Sequence, residues 1–178
     1  WKSFDHKIFK KKSIKSEQRY KFNKAFQLDG IPFGVKDIFN TKEFKTEMGS
    51  KIWKNFQPGN NARVVDTLEA NGAIAVGKTI TAEYAVHKLN ETKNPYNLSK
   101  TPGTSSSGSA TAVCTGDVPF TLASQTAGSI IRPASFCGVW GMKPSFGLIA
   151  RTGVLKTNDT LDTIGFMTSN IYNLNIIL

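Results

Sequence analysis

The chain has 178 residues, 39% of them apolar, and a formal net charge of +10; a length of this order supports one domain burying roughly 70% of its unfolded surface. No apolar run reaches the roughly 18 to 20 residues that span a bilayer, and no apolar signal core precedes the first elements, so a membrane protein and an exported one are set aside and a cytoplasmic location is expected. The two histidines and two cysteines have no metal-ligand or disulfide spacing, which removes a metal site and leaves Cys114 and Cys137, each among small or apolar residues, as buried reduced thiols.

The charge is localised. Residues 1–27 hold nine Lys/Arg and two Asp/Glu, a net of +7, and the remaining chain carries only +3. Such a block reads first as a solvated basic segment, helical by the spacing of its apolar residues, and makes little case for a nucleic-acid partner. The stretch GIPFGVKDIFNT at 30–41 predicts a short apolar strand carrying one charged pair, Lys36 and Asp37. Strand neighbours point to opposite faces, so an inward Lys36 would lack Asp37 as a partner.

Residues 61–72 predict a helix capped by Asn60 or Asn61, with Val64, Val65 and Leu68 as its apolar face and Gly72 as its stop. AIAVGK follows as a buried strand and TAEYAVHKL as a further helical turn or two. The alternation continues through GSATAVCTG, VPFTLAS and SIIRPASF, which predicts an α/β domain, residues 28–178, with a central mixed sheet flanked by helices. Gly72 to Thr79 formally match GxxxxGK[ST], the phosphate-binding loop, but Ala-Ile-Ala-Val in the middle wants to be the strand itself, so no nucleotide site is expected. The first residue is not Met and the apolar end, NIYNLNIIL, has no cap or turn; both suggest a cut chain.

Thr101 to Pro144 concentrates the chemistry. Two Ser/Gly/Thr loops there offer six hydroxyls, Ser105, Ser106, Ser107, Ser109, Ser124 and Ser129, and glycine lets backbone N–H groups come close to a reacting atom. His6, in the basic segment, and His87, beside Lys88, are poorly placed to activate them. A buried neutral lysine could, at a cost of roughly 4 kcal/mol for a pKa lowered by about 3 units. Lys36 is the best placed and Lys143, in GMKP, the runner-up; a snorkelling or paired Lys36 is the competing reading.

GIPFGVKD, TPGTSSSGSA and QTAGSIIRPASFCGVWGMKPSFG, in that order, resemble the successive blocks of the amidase signature family, and the likeness runs over about residues 28–170. Ser105 and Ser129 stand 24 positions apart, the family's spacing. The resemblance implies a Ser-Ser-Lys triad: Ser129 as nucleophile, Ser105 as bridging serine behind a cis peptide, Lys36 as base. It further implies that the N–H groups of Thr126, Ala127, Gly128 and Ser129 form the oxyanion hole, that the reaction hydrolyses linear small-molecule amides through an acyl-enzyme without a cofactor, and that the remaining serines are structural. Gln125 stands where many members carry Asp. A homo-oligomer is compatible with the sequence. Two other readings stay open: the amidase-like subunit of a tRNA-dependent amidotransferase, against which the likeness of Gln125-Thr126 and Ile131-Arg132-Pro133 to another branch of the family weighs, and an inactive truncated fragment.

Overall fold

A computed structural model describes residues 1–178. Its centre is a six-stranded mixed sheet in the order β1-β3-β2-β4-β6-β5, formed by β1 (Ser3–Phe4), β2 (Pro32–Lys36), β3 (Ile74–Thr79), β4 (Phe120–Gln125), β5 (Trp140–Met142) and β6 (Thr163–Thr168). β2 runs parallel to both β3 and β4, whereas β1, β6 and β5 pair antiparallel with their neighbours. The expected α/β architecture with a mixed sheet is what forms. The helices are α1 (His6–Lys21), α2 (Arg63–Ala70), α3 (Ser107–Cys114), α4 (Ile131–Phe136) and α5 (Tyr172–Ile177), none of them long and apolar enough to cross a membrane.

Strand alternation sorts the core into two layers. Phe33 and Val35 of β2, Phe120 and Leu122 of β4 and Ile164 of β6 join Val64, Val65 and Leu68 of α2 in the larger cluster, where the rings of Phe33 and Phe120 stack 5.1 Å apart. The opposite parity, Ala123 and Met167, packs with Ala110 and Val113 of α3 and Ala134 of α4. The basic segment is tied into the same sheet: Ser3 and Phe4 pair with Lys78 and Gly77, and the Asp5 carboxylate caps α1 by accepting from Lys7 and Ile8 N–H. Phe9 packs beside Ile74 and Val76, while Lys7, Lys10, Lys11 and Lys15 face solvent.

Three local expectations are corrected. TAEYAVHKL forms no α-helix: a single 3-10 turn, Glu83–Ala85, contains Tyr84 at φ +51° and Ala85 at φ +59°, and Tyr84 is held there by a hydrogen bond from Ser50 Oγ to its phenol oxygen. Neither Asn60 nor Asn61 caps α2; Ala62 stands at that position without a side-chain bond, and Asn61 Nδ2 donates to Asp66 instead. Cys114 is half-buried, whereas Cys137 is fully buried, and both are free thiols; burial pushes the Cys137 thiol up to about 12.

The phosphate-loop match dissolves as expected. Its middle residues are β3, and Lys78 points into the core, where its Nζ donates to Phe39 O and, at 2.8 Å, to Thr46 Oγ1, with Asp37 Oδ1 at 3.6 Å.

The small residues at the start of α3 let it approach the end of β3 closely. A Cβ on Gly108 would lie 2.4 Å from Ile80 N, and the Gly108 N–H donates to Ile80 O at 3.0 Å. Gly108→Ala is therefore expected to lower stability by about 2 kcal/mol despite alanine's better helix propensity; an unchanged urea midpoint would show that α3 can move away freely.

Candidate active site

The parallel strands β2, β3 and β4 end on the same side of the sheet, the side where α/β sheets hold their ligands. Lys36, the last residue of β2, is completely buried there. Its Nζ lies 2.8 Å from Ser105 Oγ, 2.9 Å from Ser124 Oγ and 3.5 Å from Ser124 O. Asp37 points elsewhere, accepting from the Glu47 N–H at 3.1 Å and sitting beside Lys78, so the competing reading of a snorkelling or paired Lys36 is set aside. Burial without a contacting carboxylate pushes the Lys36 amine down from 10.5 to about 7, against an opposing pull from Asp162.

Ser105 follows a cis peptide from Thr104 and is fully buried at the entry to α3. Ser129 lies in the turn between β4 and α4 and lines the same pocket as Ser105, Ser124, Thr126 and Asp162. The structure thus brings Lys36 and Ser105 into direct contact and sets Ser129 in the pocket that Ser105 lines, with no side-chain hydrogen bond of its own to another protein atom.

The turn preceding Ser129 is organised by side chains at its two ends. Gln125 Oε1 accepts from the N–H groups of Ile130 and Ile131 at 2.8 and 2.9 Å, which occupies the start of the six-residue α4. The N–H groups of Thr126, Ala127, Gly128 and Ser129 donate to no protein acceptor. The free donors are those of the four turn residues, Thr126 to Ser129, and lie ahead of the N–H groups that Gln125 engages. Lys143, the runner-up base, is exposed and donates to its neighbour Pro144 O at 2.7 Å, and His6 and His87 are exposed away from the pocket.

Two residues escaped the sequence reading. Ser124 counted among the candidate hydroxyls and was read as structural, yet it contacts Lys36; only the pairing of β2 with β4, Val35 opposite Leu122, reveals that proximity. Asp162 sits in a polar turn and gave no signal. Its carboxylate accepts from Thr126 Oγ1, from Thr157 Oγ1 at 2.9 Å, from Thr157 N–H, and from Asn158 N–H at 2.8 Å. Burial alone would raise this carboxyl, but those hydrogen bonds outweigh it and hold it below its ordinary value.

The lowered Lys36 value has a thermodynamic consequence. Between about pH 7 and 10.5 the unfolded chain binds a proton that the folded one does not, so stability rises with pH across this window and falls as pH drops toward 7, by up to about 4 to 5 kcal/mol. Lys36→Met has no such proton. Its stability relative to the parent should grow as pH is lowered from 10 to 7 and level off below; denaturation curves that stay parallel at every pH would refute the buried neutral amine.

Comparison with known proteins places the chain in a family and a fold. The family model described as Amidase matches residues 6–178. A glutamyl-tRNA(Gln) amidotransferase subunit of Bacillus velezensis is 47% identical over 150 residues, covering 81% of this chain and 31% of that protein. The native peptide amidase of Stenotrophomonas maltophilia superposes with a TM-score of 0.91 at 30% identity, over 98% of this chain and 38% of that one. The corresponding glutamyl-tRNA(Gln) amidotransferase subunit of Thermotoga maritima does so at 0.83 with 34% identity, over 96% and 42%. The chain spans about a third of the length of the curated relatives it matches. With a family model matched along nearly its whole length, the chain belongs to the amidase family.

Proposed function

We propose that the protein carrying these residues cleaves the C–N bond of a linear amide through an acyl-enzyme on Ser129. The observation that carries the reading is a fully buried lysine amine 2.8 Å from Ser105 Oγ, with Ser129 lining the same pocket as Ser105; burial disfavours its charged form and pushes the amine down to about 7. A lysine in that state has a lone pair at neutral pH. With its two N–H bonds directed at the hydroxyl and carbonyl oxygens of Ser124, the lone pair is free to accept the Ser105 proton.

In this scheme Ser129 Oγ attacks the amide carbon and gives its proton to Ser105 Oγ, whose own proton passes to Lys36 Nζ. The carbonyl oxygen becomes an oxyanion facing the unengaged N–H groups of the Thr126–Ser129 turn, donors that need no reorientation as charge develops. The C–N bond then breaks as the proton returns through Ser105 to the leaving nitrogen. Water attacks the resulting ester by the same relay, releasing the acid and restoring Ser129.

A second reading, the component of an amidotransferase that hands released ammonia to a partner, is favoured by the 47% identity to a protein of that name. Both readings share the acylation step. They separate on the nitrogen's fate: a stand-alone hydrolase turns over small amides with no companion, whereas an amidotransferase component copurifies with its partners and needs them for ammonia transfer.

A fluorophosphonate probe should label the protein at Ser129, and Ser129→Ala should abolish labelling. Lys36→Ala and Ser105→Ala should each slow it by about 1000-fold or more while the protein stays folded. The parent rate should rise with pH through about 7 as Lys36 loses its proton. Labelling that survives Ser129→Ala, or full activity in Lys36→Ala, would overturn the assignment.

A further inference from the structure

The carboxylate of Asp162 holds a place in this site that the proposed triad does not use. It immediately precedes β6, whose first residue, Thr163, lies opposite Gln125 at the end of β4. From there it reaches Thr126 Oγ1, the first residue of the turn that bears Ser129, and simultaneously gathers the Thr157 and Asn158 N–H groups. Gln125 fixes the far end of the same turn through Ile130 and Ile131 N–H. The turn is therefore pinned at both ends, by a neutral amide at one and a charged carboxylate at the other.

The charges around Lys36 make that asymmetry chemical. β4 and the 104–106 loop present the hydroxyls of Ser124 and Ser105 to its amine. β3 places the uncharged Thr79 opposite Lys36, while Lys78 points to the other face of the sheet, engaged with Phe39 O, Thr46 Oγ1 and Asp37. The 151–162 segment presents Arg151, Lys156 and Asp162 to the pocket, and Arg151 is turned back onto Asn158 O and Asp159 O at 3.1 and 2.9 Å. Asp162 is the one carboxylate that lines the pocket with Ser105 and Ser124, the two serines in contact with Lys36.

Building on the acylation mechanism proposed above, we propose that Asp162 is a positioning residue of this site: its carboxylate anchors Thr126 at the head of the Ser129 turn and supplies the negative charge that faces Lys36. The anchor fixes where the free N–H groups of residues 126–129 point. The charge works in the other direction from burial, favouring the protonated amine, so that Lys36 is poised to take up the Ser105 proton instead of remaining an inert buried base.

A simple loop staple would give the anchor without the charge effect, and the pH profile separates the two. The rate of fluorophosphonate acylation is followed from pH 5 to 10 in the parent, Asp162→Asn, Asp162→Glu and Thr126→Val, with folding checked by circular dichroism. Asp162→Asn should move the rising limb to lower pH by about half a unit or more and slow the plateau by about ten-fold. Asp162→Glu should keep the parent midpoint, and Thr126→Val should slow the plateau with the midpoint unmoved. An unmoved midpoint in folded Asp162→Asn, or an equal shift in Thr126→Val, refutes the charge role; an unchanged plateau in Thr126→Val refutes the anchor, and does so even if Asp162→Asn fails to fold. A parent protein that is not acylated at Ser129, or whose limb does not depend on Lys36, refutes the underlying mechanism instead.

Discussion

The proposed chemistry needs an uncharged amine at Lys36, and full burial with no contacting carboxylate favours that form against the pull of Asp162. The chain contains a natural control in Lys78, one strand away and equally buried. Burial lowers Lys78 to about 8 against the pull of Asp37, with a backbone carbonyl and the Thr46 hydroxyl completing its partners. Lys36 has serine oxygens for neighbours and reaches about 7. One lysine has a counter-ion in reach and ties the fold together, whereas the other has none in contact, which is what the proposed role as a base near neutral pH requires. The difference follows from strand alternation, which gives Asp37 to Lys78 and withholds it from Lys36.

The rest of the fold brings hydroxyls to that amine. Parallel pairing of β2 with β4 carries Ser124 alongside the end of β2, and the close approach of α3 to Ile80, permitted by Gly108, sets the loop that bears Ser105. The two apolar clusters on either side of the sheet hold these strand ends in register. None of the site residues lies on the exposed basic face of α1. The net charge of the chain is thus a property of its surface, while the proposed chemistry depends on a group whose charge burial disfavours.

Residue types alone made Lys36 the best-placed base and left six serine hydroxyls open; the choice of Ser105 and Ser129 among them came from the resemblance to the amidase signature family. Lys36 and Ser105 meet as that reading requires, and Ser129 shares the pocket that Ser105 lines. Ser124 and Asp162 were not legible, because their relevance comes from strand pairing and from a loop that returns 37 residues after Gln125 in the chain. The helix expected from TAEYAVHKL failed for a physical reason: Tyr84 adopts a left-handed conformation that its contact with Ser50 maintains, so tertiary structure overrides the local preference. Likewise the cap expected from Asn60 or Asn61 was lost because Asn61 found a side-chain partner in Asp66.

The proposed chemistry turns on one proton, and that proton can be observed without any substrate. Selective isotope labelling of lysine, read by NMR across pH in Ser129→Ala and assigned by comparison with Lys36→Met, follows the ionisation of the Lys36 amine directly. A midpoint near 7 is the predicted result. A midpoint at or above the ordinary lysine value of 10.5 would contradict it, because Lys36 would then be an ammonium throughout the physiological range and could not accept the Ser105 proton.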